Sequence, residues 1–169
     1  MGRVLQGLAI AAAGLLAAVT ASGFLVPAWL SADMHVLLGY MATVIVLFSH
    51  TISMFYFIGT GSAVKNAAKE LADRDNRSMV PLWEQTKAFK NRLFPIQMTA
   101  MLAIMTASIM GAGVLTRALP SWVHLALELA AVPINLVALL RTASLIEQNI
   151  LLMGAANTLY DRARAHEQG

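Results

Sequence analysis

Lysine, arginine, aspartate and glutamate are absent from residues 4–32, 34–64 and 93–116. Each run exceeds the roughly 20 residues a helix needs to cross a bilayer. A fourth run, 121–145, is apolar apart from Glu128 and Arg141. Composition agrees, since 58% of the chain is hydrophobic and 12% charged, about half the charged share of a soluble domain. The mean hydropathy is +0.66. Backbone groups in hydrocarbon must be satisfied within their own segment, and no alternating pattern of about ten residues recurs, so the spans are helices and not barrel strands. The fold class is all-α, one domain with spans at about 4–30, 34–60, 94–116 and 121–145.

The first and third connections, 30–33 and 117–120, are short enough to force antiparallel neighbours, whereas the second, 61–93, is long and polar. The expectation is an integral membrane up-down-up-down four-helix bundle. Arg3, Lys65, Lys69, Arg74, Arg77, Lys87, Lys90, Arg92, Arg162 and Arg164 fall on one side of it and Arg117 alone on the other. By the positive-inside rule both termini, with the tail 156–169, face the cytoplasm, and the chain belongs to the cytoplasmic (inner) membrane. Trp29 and Trp122 fall at the outer headgroup zone. Arg3, the Ala and Leu residues after it and Thr20-Ala21-Ser22 also fit the outline of a signal peptide. The apolar run continues to Leu30, which favours an uncleaved span.

The second connection reads as two short amphipathic helices on the cytoplasmic surface. Ala63, Val64, Ala67, Ala68 and Leu71 recur at helical spacing opposite Lys65, Lys69 and Glu70, and 73–78 reads as a turn. Pro81 suits a first helical turn, and Leu82, Trp83, Phe89, Leu93 and Phe94 beside Lys87, Lys90 and Arg92 read as an interfacial stretch. Gly59 and Gly61 lack the rest of a phosphate loop and are assigned to a helix end or bend. Gly7, Gly14, Ala18 and Ala21 offer a small-residue face to a neighbouring helix or to another copy in a homo-oligomer. Pro133 is expected to kink helix four and free a carbonyl for Asn135 or Thr142.

With no cysteine, disulfides and thiolate chemistry are excluded. A net charge of +3 and a pI near 9.6 reflect cations flanking spans and not a basic face for nucleic acid. No nucleophile triad, carboxylate pair or phosphate loop can be assembled, which argues against an enzyme.

Polar side chains in hydrocarbon are costly and should face the bundle interior. At 100° per residue, His35, Gly39, Thr43, His50, Ser53 and Met54 share one face of helix two, and His124, Glu128, Asn135, Thr142 and Asn149 one face of helix four. In an up-down bundle these helices are diagonal, with His35 and His124 at matching depth near the outer end. The pair is the leading candidate for axial ligation of a b-type haem. Glu128, about 10 Å inside the outer boundary, either bonds a neighbouring span or orients His124 and relays protons. His50 is about 22 Å beyond His35, too far to share its site. Met101 and Met105 reach a similar depth, so a His50/Met site for haem or Cu(I) is a second candidate. Met98, Met101 and Met105 also suit adaptable core filling, and His35 and His124 also suit bonds to interfacial water or headgroups. Arg141, some 30 Å from the start of helix four, is expected to snorkel to the cytoplasmic headgroups.

The spacing of His35 and His50 resembles that of the dihaem cytochrome b bundles, in which two haem ligands lie on one helix. The resemblance covers that helix alone, because helix four carries His124 without a second histidine, and it implies an architecture and not membership. Three readings follow. The chain is a haem-bearing electron-transfer subunit acting near quinone, with a membrane or soluble redox partner. Alternatively it is a cofactor-free anchor or assembly scaffold docking a partner through 62–92, or a small transporter or proton pathway.

Overall fold

The computed structural model describes residues 1–26, 31–72 and 79–166. They form four helices, α1 (Gly2–Gly23), α2 (Ala32–Ala72), α3 (Val80–Leu115) and α4 (Ser121–Ala165). All four are long and apolar enough to cross a membrane. Each apolar run falls on one helix, but α1 ends at Gly23, short of the expected 30, and α2, α3 and α4 run past the expected bounds into charged sequence. Arg117, in the turn between α3 and α4, has a left-handed backbone, φ 60°, and the amides of Ala118 and Leu119 both bond Gly113 O.

Helices α1 and α3 each pack along both α2 and α4, and α2 and α4 also touch across the diagonal, whereas α1 and α3 make no such contact among the described residues. Thr43 meets Ser108, Thr51 meets Met101 and Gly61 approaches Lys90, so numbering rises along α2 as it falls along α3. Gln97 meets Thr142 and Ala107 meets His124, which gives α3 and α4 the same relation. On the diagonal, His50 pairs with Asn135, Thr60 with Asn149 and Glu70 with Tyr160, numbers rising together.

The interior is apolar with polar side chains set into it, and large apolar side chains also cover the outside. Ser49, His50, Ser53, Gln97, Asn135, Thr142 and Asn149 are fully buried, while Phe48, Leu102, Leu125 and Leu129 stand exposed. Between the polar layers, Val46, Ile104 and Leu139 close on Ala9, Ala12 and Ala13 of α1. The inward face of α1 is thus Leu5, Ala9, Ala12, Leu16 and Val19. Gly7, Gly14, Ala18 and Ala21 lie on the exposed side, and a Cβ at Gly7 or Gly14 would meet nothing within 4 Å. The small-residue face therefore does not pack on a neighbouring helix of the same chain.

The second connection corrects the expectation of two short surface-lying helices. Gly2, at the start of α1, abuts Ile150 and Tyr56. Beyond that level α2, α3 and α4 run on without α1 as a three-helix extension. Val64, Ala68 and Leu71 of α2 are buried there with Met79 at the N-cap of α3, Phe89 of α3, and Leu152 and Ala156 of α4. Trp83, partly buried, packs against this cluster. An amphipathic helix lying on lipid and one standing upright in a bundle have the same periodicity, so the apolar stripe alone does not separate them. Gly59 and Gly61 are interior to α2, not at a helix end. At Gly61 an added Cβ would lie 3.2 Å from Lys90 Nζ, so the glycine admits the lysine side chain between helices. Pro81 does occupy the first turn of α3. The 73–78 turn with Arg74 and Arg77, and Trp29, Leu30 and Glu167, lie outside the described residues.

Pro133 sits within α4, which continues to Ala165. Proline removes the amide that would bond the carbonyl four residues back, here Leu129 O. Neither expected donor goes to it, because Asn135 Nδ2 donates to Ala131 O and Ala100 O, and Thr142 Oγ1 donates to Ala138 O.

Candidate functional site

At the end of the bundle where α2 and α4 begin, two imidazoles are held in the same way. His35, in the first turn of α2, has Nδ1 3.2 Å from Ser22 Oγ. The Ser22 hydroxyl donates its only hydrogen to Val19 O at 2.6 Å, so its oxygen accepts from the imidazole and Nδ1 carries the proton. His124, in the first turn of α4, has Nδ1 3.1 Å from Ala107 O. A carbonyl oxygen accepts only, so Nδ1 again carries the proton. In both rings Nε2 then keeps a lone pair, and the Nδ1 bond fixes orientation, the arrangement found in histidines that ligate metals.

A glycine lies under each ring. A Cβ at Gly23 would fall 3.1 Å from His35 Cε1, and one at Gly111 would fall 3.0 Å from His124 Cε1. A methyl group at either position would force the imidazole to give by a few tenths of an ångström. Glu128 is half-buried and lies one turn beyond His124, near enough to His35 to sense it as well. The three outer candidates therefore share one neighbourhood.

Gly39, one turn after His35 on α2, borders open space. At 100° per residue Gly39 shares a face of α2 with Val46 and His50, both fully buried lower down. At Gly39 that face is only half-buried, and an added Cβ would meet nothing within 4 Å. The hydrogen bonds that join α2 to α4 begin at His50–Asn135 and continue away from the end where these helices begin.

The inner candidates are separated. His50 Nε2 lies 3.3 Å from Asn135 Oδ1. The amide orientation is fixed because Nδ2 donates to two carbonyls, Ala100 O and Ala131 O, each at 2.9 Å. Oδ1 therefore accepts from Nε2–H, and His50 Nδ1 is left without a partner. Met101 Sδ accepts from Thr51 Oγ1 at 3.9 Å on the exposed side of α2, roughly 100° around the helix from His50. Met105 is also on the outer surface, at 44% exposure. His50, Met101 and Met105 are not brought together. Among the described residues no three His, Asp or Glu side chains are close enough to hold a metal ion unaided.

Gln97, Ser108, Thr60 and Ser22 are polar participants that charge counting passes over. Gln97 Nε2 donates to Thr142 Oγ1 at 3.0 Å, Thr43 and Ser108 hydroxyls meet at 2.7 Å, and Asn149 Nδ2 donates to Thr60 Oγ1 at 3.0 Å. The signal available was the seven-residue spacing of Glu128, Asn135, Thr142 and Asn149, a repeat that puts a polar residue at every second turn of one helix face. Such layers fix helix register in lipid. No protein family, curated protein or solved structure matches this chain.

Proposed function

We propose that the chain is an integral protein of the cytoplasmic membrane that binds one b-type haem between His35 and His124 and serves as an electron-transfer subunit near quinone. The observation that carries this reading is the matched pair of imidazoles, each with Nδ1–H committed to a neighbouring helix and Nε2 free, on the two helices that face each other diagonally. Such a ring pair suits bis-imidazole ligation of a flat macrocycle. Bound haem supplies one-electron transfer. The residues of the chain do the rest: Ser22 Oγ and Ala107 O orient the rings, Gly23 and Gly111 admit them, and the Glu128 carboxyl holds or releases a proton beside them. The reading also takes the bundle as up-down-up-down with both termini cytoplasmic, which the contact pairs and the one-sided distribution of Lys and Arg support.

The test is the absorption spectrum of dithionite-reduced protein purified after haem-replete expression. The expected result is a Soret band and sharp α-band in the wild type, both lost in His35→Ala and in His124→Ala. A featureless wild-type spectrum contradicts the proposal.

A second reading, docking of a partner on residues 62–92, is favoured by the three-helix extension, whose own apolar core leaves Lys65, Lys69 and Lys87 exposed. Deleting the segment would remove half of that core, so the informative variant is charge reversal of the three lysines. Loss of a cross-linked partner with an unchanged helical spectrum supports docking, and unchanged cross-linking contradicts it.

A further inference from the structure

We propose that the groove between α3 and α4 at Arg92 and Arg141 binds the phosphate of an anionic phospholipid. This inference rests on bilayer insertion and is independent of haem. Arg92, Arg141, Ser144 and Leu145 line a groove of about 320 Å³, within the size range of ligand clefts. Two arginines from different helices line this space. Neither has an ion-pair partner among the described residues. Past Arg92 the groove continues between Phe89 and Leu151, and neither part is lined by an aspartate or glutamate.

Arg141 interrupts the apolar surface of α4, one residue from Leu140, which is 57% exposed. A cation at this depth is stable when its head reaches the headgroup layer and finds an anion there. The groove residues Ser144 and Leu145 follow Arg141 along α4, on the side of the charged C-terminal stretch. Guanidinium groups present paired N–H donors that match phosphate oxygens, and the Ser144 hydroxyl adds a donor. The flanking apolar surface distinguishes a lipid phosphate, delivered from within the leaflet, from a free ion. Basic pockets between helices on the cytoplasmic side are suited to such headgroups.

The test is native mass spectrometry of the full chain in detergent, incubated with equal amounts of phosphatidylglycerol and phosphatidylcholine of the same acyl chains. The wild type is expected to retain phosphatidylglycerol preferentially. Retention is expected to fall roughly tenfold in Arg141→Gln and in Arg92→Gln, as for loss of a charge-assisted hydrogen bond, to survive partly in Arg141→Lys, and to be unchanged in Arg162→Gln. Inorganic phosphate in excess is expected not to displace the lipid. Equal retention of the two lipids, an equal loss in Arg162→Gln, or displacement by inorganic phosphate overturns the proposal. Release of the protein from membranes by carbonate contradicts insertion itself, a separate outcome from protein that stays in the membrane without lipid preference.

Discussion

His50 and Asn135 meet across the diagonal of the bundle, Nε2 to Oδ1 at 3.3 Å, and the asparagine simultaneously ties α4 to α3 through Ala100 O. One side chain thus joins three helices at a single level. Asn135→Ala is expected to leave Nε2–H and Ala100 O without their partner, at a cost of about 1–3 kcal/mol. Replacing both His50 and Asn135 with leucine should recover much of that loss, since no buried polar group of the pair is then orphaned. Thermal unfolding of the single and double variants in detergent gives the coupling, and additive losses would contradict a direct pair.

Glycine substitutions separate open positions from crowded ones. Gly154 is exposed within α4 and nothing lies within 4 Å of an added Cβ, so Gly154→Ala should stabilise the helix by about 0.8–1 kcal/mol through propensity. Gly111→Val and Gly23→Val should instead displace His124 and His35 and lower haem occupancy. Absorbance per chain measures this, with Gly14→Val, which meets nothing, as the variant expected to keep occupancy.

The three-helix extension should open as a unit when its core is cut. Leu152 is 5% exposed within the cluster around Phe57 and Leu71, and Leu152→Ala is expected to cost about 2–5 kcal/mol. Hydrogen exchange should rise in the extension and stay low around Val46, Ile104 and Leu139. Uniform exchange across both regions would show that the two apolar clusters are one cooperative unit.

The absence of native cysteine makes orientation directly measurable. With Ala118→Cys and Asn66→Cys, both exposed, an impermeant maleimide added to intact cells past the outer membrane should label position 118 and spare position 66 until the inner membrane is opened. The reverse pattern contradicts cytoplasmic termini.

The helices and the two polar stripes were legible because lipid makes both extremes costly to misplace: a charge-free run must span, and a polar residue within it must face inward. Thr43, His50, Ser53, Asn135, Thr142 and Asn149 all lie buried as that rule requires. Gln97 escaped because an uncharged amide does not interrupt a run defined by charge. The extension escaped because Val64, Ala68 and Leu71 show an apolar stripe without showing what covers it. The separation of Met101 and Met105 from His50 was hidden for a related reason. Equal depth along two helices says nothing of rotation, and here Asn135 occupies the interior position facing the imidazole.

The most direct test of the haem account is the ligand state of the iron, read by magnetic circular dichroism and electron paramagnetic resonance on oxidised protein with haem content measured per chain. The account predicts one haem per chain and a low-spin, bis-imidazole signature that His50→Leu preserves and that disappears with the haem in either His35→Leu or His124→Leu. A high-spin wild type, or a low-spin signal that survives both outer substitutions, contradicts ligation by His35 and His124.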